Sequence, residues 1–200
     1  MSPKTFVFIG RSGCGKGTQV KLLSEVLQTS GTLPIYYIES GATFREFIAK
    51  EGYTNKMARE VQEGGWLQPE FLSIWVWTNL LIKEYQDPMR HLIFDGTVRK
   101  EHEGPVFDAA MDFYGRKERY VIHIDVSEEW SRARMLERKR PDDTEEYINR
   151  RLAWFKTDVV PVLKYFSGSP KYKFIEVNGG QSVEKVHADI ISALKQNGFN

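Results

Sequence analysis

The stretch FVFIGRSGCGKGT, residues 6–18, decides the fold of this 200-residue chain. An apolar run leads into a glycine-rich loop, and the spacing from Gly10 to Lys16 fits the G-x-x-x-x-G-K phosphate-loop pattern. The glycines let successive backbone N–H groups point into one concavity at a helix start, where the helix dipole favours an anion. The hydroxyl comes one place late, because Gly17 stands between Lys16 and Thr18. We predict a strand, a loop that binds nucleotide phosphates, and a helix.

The composition is that of an ordinary globular protein, with 41% hydrophobic and 28% charged residues. A net charge of +1 gives no reason to expect a nucleic-acid partner. Cys14 is the only cysteine, which excludes an intramolecular disulfide and a cysteine-rich zinc site. No stretch approaches the ~20 apolar residues that a membrane helix needs, and the start shows no leader pattern. We therefore expect a monomeric, cytoplasmic protein with no membrane partner.

Five short runs rich in β-branched and aromatic residues alternate with helical patterns along the chain. Such runs suit strands that are covered on both faces. Their alternation with helices predicts an α/β fold with a five-stranded parallel sheet, helices on both faces and ligands at the carboxyl ends of the strands. The predicted strands are Thr5–Ile9, Ile35–Ile38, His91–Phe94, Tyr120–Asp125 and Tyr172–Val177.

Two capping-box patterns and two prolines predict helix boundaries. The Thr43–Glu46 pattern places a helix start near Phe44. The Asp143–Glu146 pattern starts a long helix that reaches about residue 166, and Pro161 kinks or divides it. Pro69 indicates the first turn of a helix that runs to residue 85. The apolar face of that helix is predicted to comprise Phe71, Leu72, Trp75, Leu80 and Ile82. We interpret Trp75, Trp77, Trp130 and Trp154 as core residues rather than base platforms.

Charged residues elsewhere suit phosphate chemistry. Asp95 ends the third predicted strand, where it either holds Mg²⁺, directly or through water, or caps the turn before Gly96. Arg134 and Arg138 share a helix face, and further arginines follow them. Guanidinium groups bind phosphate oxygens bidentately, although an isolated charge run is more often a solvated face with ion pairs. The phosphate loop favours the first interpretation of these arginines.

Together these segments resemble the adenylate kinase family of nucleoside monophosphate kinases over nearly the whole chain. The family's Gly-Lys-Gly-Thr-Gln occurs at residues 15–19, and its Asp-Gly-Phe-Pro-Arg occurs as Asp-Gly-Thr-Val-Arg at residues 95–99. A hydroxyl, a glycine and a later arginine stand at residues 40, 41 and 45 as in the family's monophosphate site. The turn at residues 178–180 resembles the one that borders the ATP base.

The resemblance implies a phosphate-loop NTPase fold of three layers with one domain, residues 1–200. Its core would comprise residues 1–38, 69–137 and 143–200, with a helical monophosphate-binding segment at 39–68 and a minimal lid at 138–142. The implied reaction is reversible phosphoryl transfer from MgATP to a nucleoside monophosphate, with AMP the first choice. No zinc is expected.

The resemblance also implies roles for individual residues. Those that would bind ATP are Gly13, Cys14, Gly15, Lys16, Gly17, Thr18, Arg134 and Gly180. Those that would bind the monophosphate are Ser40, Gly41, Arg45, Trp66, Gln68, Gly96, Arg99 and Glu103. The catalytic set would be Lys16, Arg99, Arg138, Arg140 and Arg151, with Asp95 holding Mg²⁺ through water. The start of its helix would help Arg45 to bind the acceptor phosphate. Cys14 is either a small filler or an oxidation-sensitive thiol.

Glu103 is the departure from the family with the largest consequence. AMP-specific members carry glutamine there, which both donates to and accepts from adenine, whereas ionised glutamate only accepts. An acceptor-only group suits the N–H donors of guanine or an amino group of cytosine or adenine. Alternatively, Glu103 is a solvent-facing residue that the helix dipole favours early in its helix. GMP or CMP kinase activity is therefore the alternative, and a non-catalytic nucleotide sensor is a third possibility.

Overall fold

The computed structural model describes residues 2–30, 33–138 and 144–199, and its centre is one parallel sheet of five strands. The strands are β1 Lys4–Gly10, β2 Ile35–Glu39, β3 His91–Asp95, β4 Glu118–Asp125 and β5 Lys173–Asn178. They lie in the order β2-β3-β1-β4-β5, and every neighbouring pair is parallel. All five predicted strands are confirmed, with ends that agree with the prediction to within two residues.

Helices connect the strands and cover the sheet. They are α1 Lys16–Thr29, α2 Ser40–Ile48, α3 Tyr53–Glu63, α4 Glu70–Glu84, α5 Glu103–Phe113, α6 Glu128–Arg138, α7 Glu145–Trp154, α8 Val160–Ser167 and α9 Val183–Gln196, with a π-helical turn Phe155–Val159 before α8. None of the helices in these described ranges is long and apolar enough to span a bilayer.

The core lies on both faces of the sheet because alternate residues of each buried strand point to opposite sides. From β1, Val7 and Ile9 join α4, α5 and α8 in one apolar cluster. Phe6 and Phe8 join α1 and α9 in the other cluster. This arrangement confirms the expected three-layer α/β fold of the phosphate-loop type.

The start of α2 differs from the prediction. The helix begins at Ser40, directly after β2, and not near Phe44. The Thr43 hydroxyl donates to the Glu39 carbonyl at 3.2 Å, so it lies within the first turn and does not cap a helix. Arg45 consequently lies in the last turn of α2, and the expectation that a positive helix start assists it is wrong.

The buried face of α4 also differs from the prediction. Leu72 is buried and Leu80 packs against the core, as expected, but Phe71 and Ile82 are exposed by 68% and 70%. The residues that α4 buries are Leu72, Val76, Trp77 and Leu81. Trp75 is 46% exposed and is not a core residue. This helix is apolar nearly all round, so packing against the sheet, and not periodicity, decides which side is buried.

The predicted division of the long C-terminal helix is confirmed. Thr144 caps α7 by accepting the N–H of Tyr147 at 3.3 Å, while the predicted cap Asp143 lies outside the described residues. Pro161, in the first turn of α8, has no N–H to donate backwards. The π-helical turn that precedes it accommodates the changed hydrogen-bond pattern and joins the two helices.

His91 provides a test of this packing through pH. Its Nδ1 accepts the backbone N–H of Lys4 at 3.1 Å, and burial, then the charges of Lys4 and Arg116, lower its pKa to about 4. The unfolded chain binds the His91 proton more tightly than the folded protein does. The contribution of neutral His91 to folding stability is therefore fully present above pH ~6.5 and is lost as the pH falls towards 4. We expect His91 to account for about 2–3 kcal/mol of the unfolding free energy that the wild type loses over that window, so His91→Asn should lose less by about that amount. Urea titrations of both proteins from pH 7 to 4 test this, and equal slopes would contradict it.

Candidate active site

A cleft of about 580 Å³ opens at the carboxyl ends of β1, β2 and β3 and is closed on one side by α7. It brings together most of the residues that the sequence predicts for the site. Those lining it are Gly13, Gly15, Lys16, Gly17, Thr18, Ser40, Gly41, Arg45, Trp66, Gln68, Asp95, Gly96, Arg99, Glu103, Arg138 and Arg151. Cys14, Arg134 and Gly180 lie outside this lining, and Arg140 lies outside the described residues.

The phosphate loop depends on glycine at two positions for different reasons. A side chain at Gly10 would come within 2.6 Å of the Ile124 carbonyl oxygen, because the loop passes close over β4. Gly15 takes a left-handed φ of 92° immediately before α1 begins at Lys16. The loop therefore wraps the start of α1, where free backbone N–H groups attract an anion.

Lys16 and Cys14 have different places in this loop. The Lys16 ammonium donates to the carbonyl oxygens of Gly10 and Arg11, at 2.8 and 3.0 Å, and lines the cleft. Cys14 is only 3% exposed, and its side chain joins the apolar cluster under α1. Its burial supports the interpretation of Cys14 as a small filler, and the Lys16 ammonium lies 3.6 Å from its Sγ.

Asp95 ends β3 beside the loop and offers oxygen ligands to a cation. Its Oδ2 accepts the Tyr37 hydroxyl at 3.1 Å and lies 3.7 Å from the position that a Cβ on Gly17 would occupy. Burial, and then the charge of Asp95, raise the pKa of Tyr37, so its hydroxyl stays a donor. Among the residues described, no three His, Cys, Asp or Glu side chains meet at one metal position. A single carboxylate next to a phosphate loop fits Mg²⁺, which keeps several waters and binds substrate phosphates.

Arg99 enters the cleft from a tight turn. Its Nε donates to the Gly96 carbonyl at 2.6 Å, and its guanidinium lies 5.8 Å from the Trp154 ring centroid. The preceding Val98 is fully buried with φ 59°, a left-handed conformation that costs roughly 1–2 kcal/mol in an L-residue. Burial, followed by the charge of Arg151, lowers the pKa of Arg99, which nevertheless stays protonated. Arg99 and Arg151 both line the cleft, and their two positive charges favour the binding of an anion there.

The remaining predicted arginines occupy separate places. Arg151 donates to the Tyr147 hydroxyl at 3.0 Å and lies over that ring at 4.3 Å, which holds it against the cleft wall. Arg138 lines the cleft at the end of α6. Arg134 lies over the Trp130 ring at 5.0 Å and pairs with Glu137 at 3.0 Å. Trp130 itself packs, partly buried, against the core cluster.

The side of the cleft next to α2 and the end of α3 holds Ser40, Arg45 and Gln68. The Ser40 and Thr97 hydroxyls share a buried hydrogen bond of 2.6 Å. Arg45 pairs with Glu39 at 3.1 Å. The Gln68 amide donates to the Ala58 carbonyl at 2.8 Å. These bonds fix α2 and the end of α3 against the strand ends.

Glu103 is buried at the first residue of α5 and faces the cleft, which contradicts its interpretation as a solvent-facing residue. Its Oε1 accepts backbone N–H groups of Arg99 and Lys100, at 3.4 and 3.2 Å, and its Oε2 accepts the Ser73 hydroxyl at 3.2 Å. Burial raises its pKa, while these hydrogen bonds act in the opposite direction. Sequence reasoning missed Ser73, and no motif marks it.

Comparison with known proteins agrees with this geometry. The Adenylate kinase family profile matches residues 8–171. "Adenylate kinase 1" of Nostoc sp. is 30% identical over 188 residues, covering 94% of this chain and 97% of the relative. "Adenylate kinase" of Corynebacterium urealyticum is 30% identical with the same coverages, and that of Thermosipho africanus is 27% identical over 95% and 99%. The chain therefore belongs to the adenylate kinase family of nucleoside monophosphate kinases.

Proposed function

We propose that this enzyme transfers the γ-phosphoryl group of MgATP to AMP, reversibly, to give two ADP. The observation that carries the proposal is the convergence of Lys16, Asp95, Arg99 and Arg151 on one cleft beside a phosphate loop. The names of the relatives support AMP as the acceptor.

The donor phosphates would bind at the loop. Backbone N–H groups at the start of α1 and the Lys16 ammonium would hold the β- and γ-phosphates. Asp95 would hold Mg²⁺, directly or through water, and the ion would neutralise phosphate charge. Arg134 would stack on the adenine of ATP with the 178–180 turn beside it.

The acceptor phosphate would bind to Arg45 and Arg99, opposite the loop. The bond from the γ-phosphorus to the β-bridging oxygen breaks as a bond to an AMP phosphate oxygen forms. No general base is required, because the attacking group is already an anion. Arg138, Arg140 and Arg151 would neutralise charge on the transferring group, so catalysis is positioning and electrostatic stabilisation.

GMP or CMP is the second candidate acceptor, and the environment of Glu103 favours it. The carboxylate is buried at the cleft, with Oε2 bound to the Ser73 hydroxyl. An ionised carboxylate there would accept N–H groups from guanine or an amino group from cytosine. A sensor without turnover is disfavoured, since the residues needed for phosphoryl transfer are present.

We further propose the remaining features that the resemblance implies. Residues 39–68 act as the monophosphate-binding segment and 138–142 as a minimal lid, within one domain. The protein works as a monomer in the cytoplasm. ATP and a nucleoside monophosphate are its partners, and no nucleic acid takes part.

Initial rates with AMP, GMP, CMP, UMP and dTMP, for wild type and Glu103→Gln, test the choice of base. Glu101→Gln, an exposed position in the same turn, is the matched control. We expect AMP to be preferred by more than about tenfold, which corresponds to ~1.4 kcal/mol. A preference for GMP or CMP that Glu103→Gln shifts towards AMP would contradict the assignment of AMP and identify Glu103 as the specificity residue.

A further inference from the structure

A contact joins the acceptor side of the cleft to α7. The turn that follows α3, residues 64–66, packs on the helix that carries Arg151. Arg150 donates from Nη1 to the Gly64 carbonyl, and its Nη2 pairs with Glu146 one turn earlier on α7. One nitrogen of the guanidinium thus binds the turn while the other is held by a residue of α7, and together they connect the turn to the helix.

The turn and α7 approach closely at Gly65. This residue is buried and takes φ 74°. A Cβ there would lie 3.0 Å from Cδ2 of Tyr147 and 3.3 Å from Cδ of Arg150. A side chain at this position would have a strained φ and would crowd the Tyr147 ring and the Arg150 side chain.

Trp66 is the exposed side chain of this turn. It lines the cleft and is 59% exposed. The Arg150 guanidinium lies over its ring, 5.2 Å from the centroid. Its indole edge lies against Gly64, where a Cβ would come within 2.8 Å of Cδ1. Arg150 and Gly64 therefore hold the indole in one orientation while part of it remains open to the cleft.

We propose that Arg150 is a positioning residue for the acceptor nucleotide. It acts through Trp66, by fixing the 64–66 turn to α7 so that the wall of the acceptor site stands at a set distance from Arg151. The inference rests on the proposed function, and it adds a residue that does not itself line the cleft.

The role requires arginine rather than any cation. A planar guanidinium can lie flat on an indole and donate to a carbonyl and a carboxylate at once, whereas a lysine ammonium is a point charge. Without the contact, the 64–66 turn would have to become ordered when the acceptor binds. This ordering would reduce the binding free energy, so the KM for the acceptor would rise. The proposed MgATP site is at the other end of the cleft, around Lys16, so the KM for MgATP should not change.

Steady-state kinetics of Arg150→Ala with the preferred acceptor test the inference. We expect the acceptor KM to rise about tenfold, with kcat and the MgATP KM each within about twofold of wild type. Arg150→Lys should recover little of the loss, because an ammonium cannot stack on the indole and reach both oxygen partners at once. Acrylamide quenching, with Trp66→Phe used to isolate the Trp66 signal, should show a more accessible indole in Arg150→Ala.

Arg132→Ala is the matched control, because Arg132 also contacts α7, through Asn149 at 2.6 Å, and does not line the cleft. It should leave every constant unchanged. An unchanged acceptor KM in an active Arg150→Ala protein would overturn the inference alone, as would equal rises in both KM values. A wild type that phosphorylates none of the five monophosphates would overturn the proposed function, and the inference with it.

Discussion

Arg151→Ala is expected to lose about 10³-fold in kcat, with the affinity for MgATP changed by less than about fivefold. The guanidinium is held against the cleft wall by the Tyr147 hydroxyl and ring, and its charge helps to lower the pKa of Arg99 in the same cleft. Its charge is most useful when negative charge spreads over the transferring phosphoryl group, so its loss should affect the transition state more than the ground state. A coupled assay of ADP formation and calorimetric titration with a non-hydrolysable ATP analogue measure the two effects separately.

Arg90→Ala provides the control for the general effect of losing a cation. Arg90 precedes β3 at the opposite end of the sheet from the cleft and pairs only weakly with Asp87, at 3.6 Å. The Arg90→Ala protein should keep a kcat within about twofold of the wild-type value. An Arg151→Ala protein that keeps more than a tenth of the wild-type kcat would contradict the role assigned to Arg151.

Arg116→Met is expected to destabilise the fold by about 3–5 kcal/mol, the largest stability effect that we predict. The Arg116 side chain is 1% exposed beneath the amino ends of the strands. Its hydrogen-bond partners among the described residues are neutral groups: the Lys4 carbonyl at 2.6 Å, the Thr5 and Tyr85 hydroxyls at 3.0 Å each, and the Pro88 carbonyl at 3.2 Å. Methionine would fill similar space but leave these buried acceptors without a donor, which carries the full desolvation cost.

Urea unfolding of Arg116→Met and Lys117→Met measures this cost. Lys117 is the next residue and is exposed, so its replacement should change the unfolding free energy by less than about 0.5 kcal/mol. If the two variants were equally stable, the buried guanidinium would not be the link between β1, the end of α4 and the turn before β4.

The sheet and the phosphate loop were predictable because their signals are local. Each buried strand is a short apolar run, and the segment from Gly10 to Lys16 matches the phosphate-loop pattern without reference to any other part of the chain. The start of α2 was not predictable, since Thr43 has the spacing of a cap whether it ends a loop or lies inside a helix. Only the entry of β2 directly into the helix at Ser40 decides between the two.

The residues of the candidate site also divide into those that local sequence signals predict and those whose place depends on packing. Asp95 and Arg99 follow a recognisable strand, and the structure brings both to the cleft. Ser73 and Tyr147 lie in helices whose boundaries have sequence signals, but no motif marks these two residues, and their place in the cleft depends on how the helices pack. The burial of Glu103 likewise results from contact between α4 and α5 through Ser73, which no short-range pattern encodes.

The most direct test of the account is the stoichiometry of the reaction, followed by ³¹P NMR with MgATP and AMP in equal amounts. We predict that one ATP and one AMP disappear for every two ADP formed, that the reaction stops at an equilibrium mixture, and that inorganic phosphate does not accumulate. Release of one phosphate for each ATP lost, with AMP unchanged, would show hydrolysis without transfer and would contradict the assignment of this cleft as a nucleoside monophosphate kinase site.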